Sequence, residues 1–320
     1  MPLYNDWEAA EQVLYRLDGL LAEAPVASAN VLLVDDFSSR PPPSGFLRGP
    51  FRHIGAVDVL RLRRNLGHQR AICIGLAYLE TRADCDAVVV MDADGEDQPE
   101  DVPRLIERFQ AEGGGKIVFA ERTRRSEGAL FRVLYWLYRL LHRVLSGIPV
   151  RFGNFSVLPA SLLPALSAMS ETWSHYTAAV LKGRLPYTSL PTVRGTRLAG
   201  KSHMNLTSLV VHGITALAVF AEIIGVRVVI AALAFLLLTL VLLAVIAVIR
   251  FGTSLAIPGW ATTTSLLMLN LCFDAVIFAG LASLLVLSAR TAAGFVPARD
   301  HGLFIAGVAH VHPAATDTEA

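Results

Sequence analysis

The chain has 320 residues, 53% of them apolar and 17% charged, with a formal net charge of +1 and a mean hydropathy of +0.50. That length exceeds one average domain and can bury a sizeable core. The balanced charge, with no concentrated basic tract, excludes a nucleic-acid footprint, and the high hydropathy is confined to two stretches late in the chain.

The opening residues are polar and charged, which argues against a signal peptide. Residues 6–24 read as an amphipathic helix with Leu14, Leu17 and Leu21 on one side. Asn30–Val34 reads as a short buried strand ending in Asp35 and Asp36. The Pro-rich stretch 41–50 is a loop, Val57–Leu62 a further strand and Arg70–Thr81 a helix. Ala87–Met91 reads as a buried strand running straight into Asp92-Ala-Asp94-Gly-Glu96-Asp97. A helix starts near Pro99 with Val102, Leu105, Ile106 and Phe109 in period, Gly113–Gly115 ends it, and Lys116–Ala120 is the next strand. Strands alternating with helices predict an α/β domain with a mostly parallel sheet, whose ligands sit at the carboxyl ends of the strands. Both acidic clusters fall there. The Gly-rich phosphate fingerprint of dinucleotide folds is missing.

An amphipathic helix near 128–147, with Leu130, Leu134, Leu137, Leu141 and Leu145, stops at Pro149. Its exposed face is a candidate for pairing subunits into a homo-oligomer. Residues 171–182 read as helical, completing a catalytic domain over 1–202. Residues 203–226 are apolar but interrupted, and read either as a juxtamembrane region at the interface or as a third membrane element. Residues 228–249 carry no charge, and 265–289 carry only Asn270 and Asp274 as blemishes. At 1.5 Å per residue each can cross a hydrocarbon core of about 30 Å, which predicts a transmembrane hairpin over 227–290 in a lipid bilayer. Asn270 and Asp274 share a face, expected to meet the first span or another subunit. The arginine-rich body before the first span predicts a cytoplasmic catalytic domain with both chain ends on that side. The loose Pro, His, Gly and Ala pattern of 291–320 reads as a flexible tail. Cys73, Cys85 and Cys272 have no metal or redox spacing and read as small buried hydrophobes.

Asp92 and Asp94, with Glu96 beside them, carry the chemistry. Carboxylates where a strand opens into a loop can hold a divalent cation, Mg2+ or Mn2+, against a diphosphate. With the two spans, this reads as a metal-dependent enzyme moving a group from a nucleotide onto an acceptor at a membrane. The bland alternative is N-cap chemistry and solvation before Pro99, and it applies most to Asp97. Asp35 and Asp36 suit a base or ribose hydroxyl, or a polar turn. Arg122, Arg125 and Arg132 follow the next strand and can converge on a phosphate through their forked donors. A phosphate acceptor is already anionic, so orientation by charge replaces a strong base. A neutral hydroxyl acceptor would need one, and Asp97 is the candidate. Arg197 and Lys201, in a glycine-punctuated basic segment, either close over a diphosphate or face the lipid surface. His68 reads as a polar contact in the cleft.

Five motifs occur in order: Pro2-Leu-Tyr4-Asn5-Asp6, Val34-Asp35-Asp36-Phe-Ser38, Arg64-Asn65-Leu-Gly67, Asp92-Ala-Asp94-Gly-Glu96-Asp97-Gln-Pro99 and Arg197-Leu-Ala-Gly200-Lys201-Ser202. Together they resemble family 2 glycosyltransferases acting on polyprenyl phosphate, the dolichyl-phosphate mannose synthases and bactoprenol glucosyltransferases. The resemblance covers roughly residues 1–290. It implies a GT-A (Rossmann-like) fold and inverting transfer from a nucleotide-diphosphate sugar to a polyprenyl phosphate such as undecaprenyl phosphate, in a bacterial cytoplasmic membrane. It makes Pro2, Tyr4, Asp6, Asp35, Asp36 and Arg64 donor-binding, with Asp92, Asp94 and Glu96 at the metal. Arg122 and Arg132 would hold the acceptor phosphate, and Arg197 and Lys201 would cover the diphosphate. The chain departs from the pattern at Glu96, usually Gln; at Gly153-Asn154-Phe155-Ser156, usually Gly-Asp-Phe-Arg; at His203, usually basic; and in lacking an apolar strand before Pro2. Transfer to another lipid acceptor and a non-catalytic membrane scaffold are the competing readings.

Overall fold

In the computed structural model, the described residues are 1–82, 84–122, 140, 142–147, 152–199, 213–254, 257, 259–291 and 294–313. They fall into two compact units: Met1–Arg139 with Pro149–Val219 and Gly294–Ala320, and Leu140–Ile148 with Phe220–Ala293.

In the first unit, β1 (Pro2–Leu3), β2 (Ala29–Asp35) and β3 (Ile54–Leu62) lie parallel, with β1 against Val34 and Asp35 of β2. Helix α1 (Trp7–Leu21) covers this layer, burying Val13, Leu14, Leu17 and Leu21. A second sheet runs in the order β4 (Ala87–Val90), β6 (Ser156–Pro159), β5 (Ile117–Arg122) and β7 (Tyr187–Thr192). Between them in sequence lie α2 (His68–Arg82), α3 (Asp101–Ala111), α4 (Leu163–Ala168) and α5 (Tyr176–Lys182). The expected α/β domain is present, but its sheets are mixed. β6 runs antiparallel to both β4 and β5, while β5 and β7 are parallel. The reason is chain economy: α3 links β4 to β5, and β6 then returns between them from the other direction.

The segment expected to be a flexible tail departs most from expectation. Pro297–Asp300 forms a helical turn (α8), and β8 (Ile305–His312) pairs antiparallel with β3, completing the first sheet. Phe295 and Phe304 stack around Trp173, with ring centroids 3.9 Å and 5.2 Å from it. The composition is weakly apolar because one face of an edge strand stays in solvent, so the pattern alone looks unstructured. Cys85 is exposed, contrary to expectation, whereas Cys73 and Cys272 are buried.

One buried carboxylate ties the sheet to its covering helix. Asp18 of α1 accepts from the backbone N–H of Arg52 (2.9 Å), His53 (2.7 Å) and Ile54 (2.8 Å), the residues that lead into β3. Burial pushes its pKa up, but the three N–H donors outweigh it and the net shift is downward. Asp18→Ala strands those donors and is expected to destabilise the unit by about 3 kcal/mol in denaturant titration. Because the folded pKa is depressed, this stability is present above the ordinary aspartate pKa of about 4 and lost as pH falls through the lower folded value. Asp18→Asn should flatten that acid limb, and an unchanged limb would remove Asp18 from the account.

In the second unit, α6 (Ala221–Gly252) and α7 (Trp260–Thr291) are each 32 residues long. A Cβ on Gly225 would meet Val286, and Thr239 Oγ1 lies 3.1 Å from Cys272 Sγ, so the two helices pack antiparallel. Only 11% and 17% of their most apolar windows are buried. A core helix of a soluble protein would be mostly buried, so these surfaces suit membrane association. Both helices start earlier than the apolar runs suggest, at Ala221 and Trp260 rather than 228 and 265. Arg227, in the added first turns of α6, donates to the carbonyls of Val144 (2.7 Å) and Leu145 (3.1 Å), satisfying backbone acceptors at the end of helical residues 142–146. The other residues of the expected 128–147 helix lie almost wholly outside the described residues.

Candidate active site

The site is assembled where β1, β2, β4 and β7 end. Asn5 turns the chain after β1 with φ +59°, a left-handed geometry that Asn tolerates. Its N–H donates to Ser38 Oγ (2.9 Å) and its Oδ1 accepts from Arg40 N–H (3.0 Å), joining the β1 and β2 ends. Asp35 accepts from Ser38 N–H at 2.9 Å. Asp36 uses both carboxylate oxygens on the backbone N–H groups of Leu66 (2.6 Å) and Gly67 (2.8 Å). Burial pushes its pKa up against those two donors. Asp36 therefore positions the 64–67 turn, the polar-turn alternative, and does not present a free carboxylate to solvent.

The acidic loop after β4 is held by its own residues. Asp97 is buried and its Oδ2 accepts from Asp92 N–H at 3.0 Å, while Asp94 Oδ1 accepts from Glu96 N–H at 2.9 Å. The N-cap position of α3 is Glu100, three residues beyond Asp97, which closes the loop through Asp92 N–H. Burial pushes the Asp94 pKa up, opposed by the Glu96 N–H and by Arg197, and reinforced by the Glu96 and Asp97 charges.

The segment after β7 lies across this loop. Gly195 N–H donates to Glu96 O (2.9 Å) and Leu198 N–H to Asp94 O (3.0 Å). The approach needs glycine: Gly95 has φ +85°, and a Cβ there would fall 2.5 Å from Leu198 Cγ. Arg197 bridges two acids, with Nη2 2.5 Å from Asp6 Oδ1 and Nη1 3.2 Å from Asp94 Oδ2. Arg194 pairs with Glu96. On the other side, His68 Nε2 sits 3.3 Å from Asp92 Oδ1 and 3.1 Å from Asn154 Nδ2. Thr177 holds that strand entry by donating to Gly153 O at 2.8 Å.

Of the expected site residues, Asp6, Asp92, Asp94, Glu96, Asp97 and Arg197 are therefore together. Pro2 is in β1 and Tyr4 follows it, exposed. Arg64 lies elsewhere, its guanidinium 5.9 Å from the Phe304 ring. Arg122 ends β5, at the same carboxyl edge by backbone position. Arg132 and Lys201 lie outside the described residues. The pairings of Arg194 with Glu96 and of Asn154 with His68 were not foreseen. They join positions 98 and 86 residues apart, and no local spacing signals them.

Among the described residues, no three His, Cys, Asp or Glu side chains are grouped closely enough to hold a metal ion. The donor chemistry nevertheless suits a divalent cation, because Asp92 and Asp94 offer carboxylate oxygens at the open end of β4. In this arrangement the positive charge beside Asp94 and Glu96 comes from Arg197 and Arg194.

A sequence profile described as glycosyl transferase family 2 matches residues 1–163. The chain is 27% identical over 214 residues to the uncharacterized glycosyltransferase YkcC of Bacillus subtilis, covering 65% of this chain and 63% of that one, so it spans less than two thirds of that relative. It is 28% identical over 231 residues to the bactoprenol glucosyl transferase of Shigella phage SfV, covering 69% and 71%. It is 33% identical over 143 residues to the undecaprenyl-phosphate 4-deoxy-4-formamido-L-arabinose transferase of Pseudomonas aeruginosa, covering 44% and 39%.

Proposed function

The chain belongs to glycosyl transferase family 2, and from that premise we propose that it transfers a sugar from a nucleotide-diphosphate donor to a polyprenyl phosphate. The observation that carries this reading is the basic segment 194–198 clasped onto the acidic loop, with Arg197 between Asp6 and Asp94. Carboxylates and arginines alternate there over the strand ends, which is what a diphosphate with its counter-ion requires. The relatives named for bactoprenol and undecaprenyl phosphate, and the two long apolar helices, support a lipid acceptor.

In this reading the catalytic domain is of GT-A type. Asp35 borders the nucleoside, and Asp36 sets the turn that faces it. Asp92 and Asp94 would hold Mg2+ or Mn2+, with Glu96 alongside. That ion, when bound, offsets the charge of the leaving diphosphate. Arg197, moving off Asp94, would turn its fork to the diphosphate together with Lys201. The acceptor phosphate oxygen attacks the anomeric carbon as the bond to the diphosphate breaks on the opposite face, inverting the centre. Arg122 and Arg132 orient that phosphate. No strong base is needed, because the nucleophile is already anionic.

A two-crossing arrangement, with both flanking segments on one side, has its own support. β8 pairs with β3, so residues 305–312 share one side of any membrane with the catalytic strands. The intervening chain must then cross an even number of times, as a hairpin of α6 and α7 does.

Full-length protein in vesicles, given radiolabelled donors (UDP-glucose, UDP-galactose, UDP-N-acetyl sugars, GDP-mannose) and undecaprenyl phosphate, should yield a lipid labile to mild acid. An acid-resistant glycolipid would overturn the acceptor. A finer expectation concerns the arginines: Arg122→Ala or Arg132→Ala should weaken use of prenyl phosphate about 10–100-fold, as loss of a charged hydrogen bond does, while donor binding by calorimetry stays within about twofold. Equal losses for both substrates would move them to the donor side.

A further inference from the structure

One ring nitrogen beside the acidic loop has two neighbours with opposite demands. His68 Nε2 lies 3.3 Å from Asp92 Oδ1 and 3.1 Å from Asn154 Nδ2. A carboxylate oxygen accepts and an amide nitrogen donates, so the imidazole nitrogen cannot satisfy both. The backbone on either side of the ring is pinned. Asp36 takes the N–H of Gly67 just before it (2.8 Å), and Gln69 just after it accepts from Tyr176 N–H (2.9 Å).

The neighbours of Asn154 decide which demand is met. Thr177 Oγ1 has a single proton, which goes to the Gly153 carbonyl at 2.8 Å. Asn154 Oδ1 faces the same hydroxyl oxygen at 3.3 Å, with no second proton to share. Turning the amide by half a turn resolves both contacts, because an amide's orientation is set by its partners. Its nitrogen then donates to Thr177 Oγ1, and its oxygen accepts from a proton on His68 Nε2. That same proton faces Asp92. Ser156 steadies the strand entry by donating to the Asn154 carbonyl (2.9 Å) and accepting from the buried Tyr176 hydroxyl (3.0 Å). Gly153-Asn154-Phe155-Ser156, where the chain departs from the family pattern, is thus part of one uncharged network.

We infer that His68 is a positioning residue, fixed by the Thr177–Asn154 pair with its proton on Nε2, and that it aims the Asp92 carboxylate at the divalent cation. A carboxylate held through one oxygen presents the other in a set direction, and partners of this kind tune a ligand without touching the metal. The inference rests on the proposed reading of Asp92 as a cation ligand. Asparagine suits position 154 better than the aspartate usual in the family, which has no proton to give Thr177.

The test uses the full-length chain purified in detergent, with Mn2+ alone as the probe and its binding followed by electron paramagnetic resonance. His68→Leu and His68→Asn should each weaken Mn2+ binding about tenfold. His68→Gln, whose longer side chain brings an amide N–H close to the place of Nε2, should stay within about threefold. Asp92→Asn should lose at least as much as His68→Leu. In nitrogen NMR of the histidine-labelled chain at about pH 8, above the ordinary histidine pKa of about 6.5, His68 should carry its proton on Nε2. Its signals are those missing from the His68→Gln spectrum. Melting temperatures of all variants separate lost binding from lost folding. Mn2+ binding that Asp92→Asn does not weaken would overturn the metal reading and this inference with it. Loss at Asp92→Asn, with His68→Leu and His68→Asn binding normally, would overturn the inference and spare the metal reading. So would a proton on Nδ1, or a Gln variant as weak as the Leu variant.

Discussion

Asp94→Ala is expected to cut sugar transfer on the order of 10³-fold while shifting the melting temperature by only a few degrees and leaving membrane attachment unchanged. The expectation rests on what Asp94 touches. Among the described residues its Oδ1 accepts from the Glu96 N–H, its Oδ2 faces Arg197, and it lies on a loop with no core packing to lose. Removing it leaves Arg197 held by Asp6. The structural cost is therefore two hydrogen bonds, one from the Glu96 N–H and one from Arg197, with no core cavity. On the proposed mechanism the chemical cost is larger, because a leaving diphosphate would lose a main source of bound counter-charge just as its own charge develops. Asp94→Asn should fall nearly as far, since the amide keeps the shape but not the charge. Near-normal turnover of either variant across a Mg2+ and Mn2+ titration would remove Asp94 from the proposed metal site.

Ending the chain at Ala293 is expected to lower the melting temperature of the catalytic unit by about 10 °C, corresponding to roughly 3 kcal/mol at this size. Three losses add up. β3 forfeits its ladder with β8, from Val57–His312 to Leu62–Ile305. The rings of Phe295 and Phe304 leave Trp173, and partly buried Ile305 leaves the cluster of Leu60, Leu62 and Ile74. Half-buried side chains of this size contribute about 1 kcal/mol apiece. The acidic loop is untouched, so activity at low temperature should survive within about threefold. Phe304→Ala, a milder change, should shift melting in the same direction by about a third as much. A truncated chain that melts with the full-length protein would show that β8 is dispensable.

The elements readable from sequence are those whose own pattern is strong. Leu14, Leu17 and Leu21 mark α1, the Val88–Met91 run marks β4, and the two apolar stretches mark α6 and α7. The strands that escaped notice owe their conformation to partners. β1 has two residues, β6 has four and ends in Pro159, and β7 contains Pro191. Such segments are strands because a neighbour supplies the ladder, and their propensity says little. The site divides the same way. Asp92, Asp94, Glu96 and Arg197 stood out by residue type and position. That Arg194 faces Glu96, that Asn154 meets His68, and that Asp36 turns inward to Leu66 and Gly67 depend on where distant segments land.

The pairing of β8 with β3 also sets an order of events during synthesis. Asp58 and His310, linked at 2.6 Å, are 252 residues apart, and both long apolar helices are made between them. At about 5–20 residues per second, β3 waits on the order of ten to fifty seconds with one edge open. An open edge invites pairing with another nascent chain. β3 carries Asp58 and Arg61 among its valines and leucines, and charge at such positions discourages that encounter. The sheet can close only after α6 and α7 have been synthesised, so completing this α/β fold signals that the chain has been made through both apolar helices.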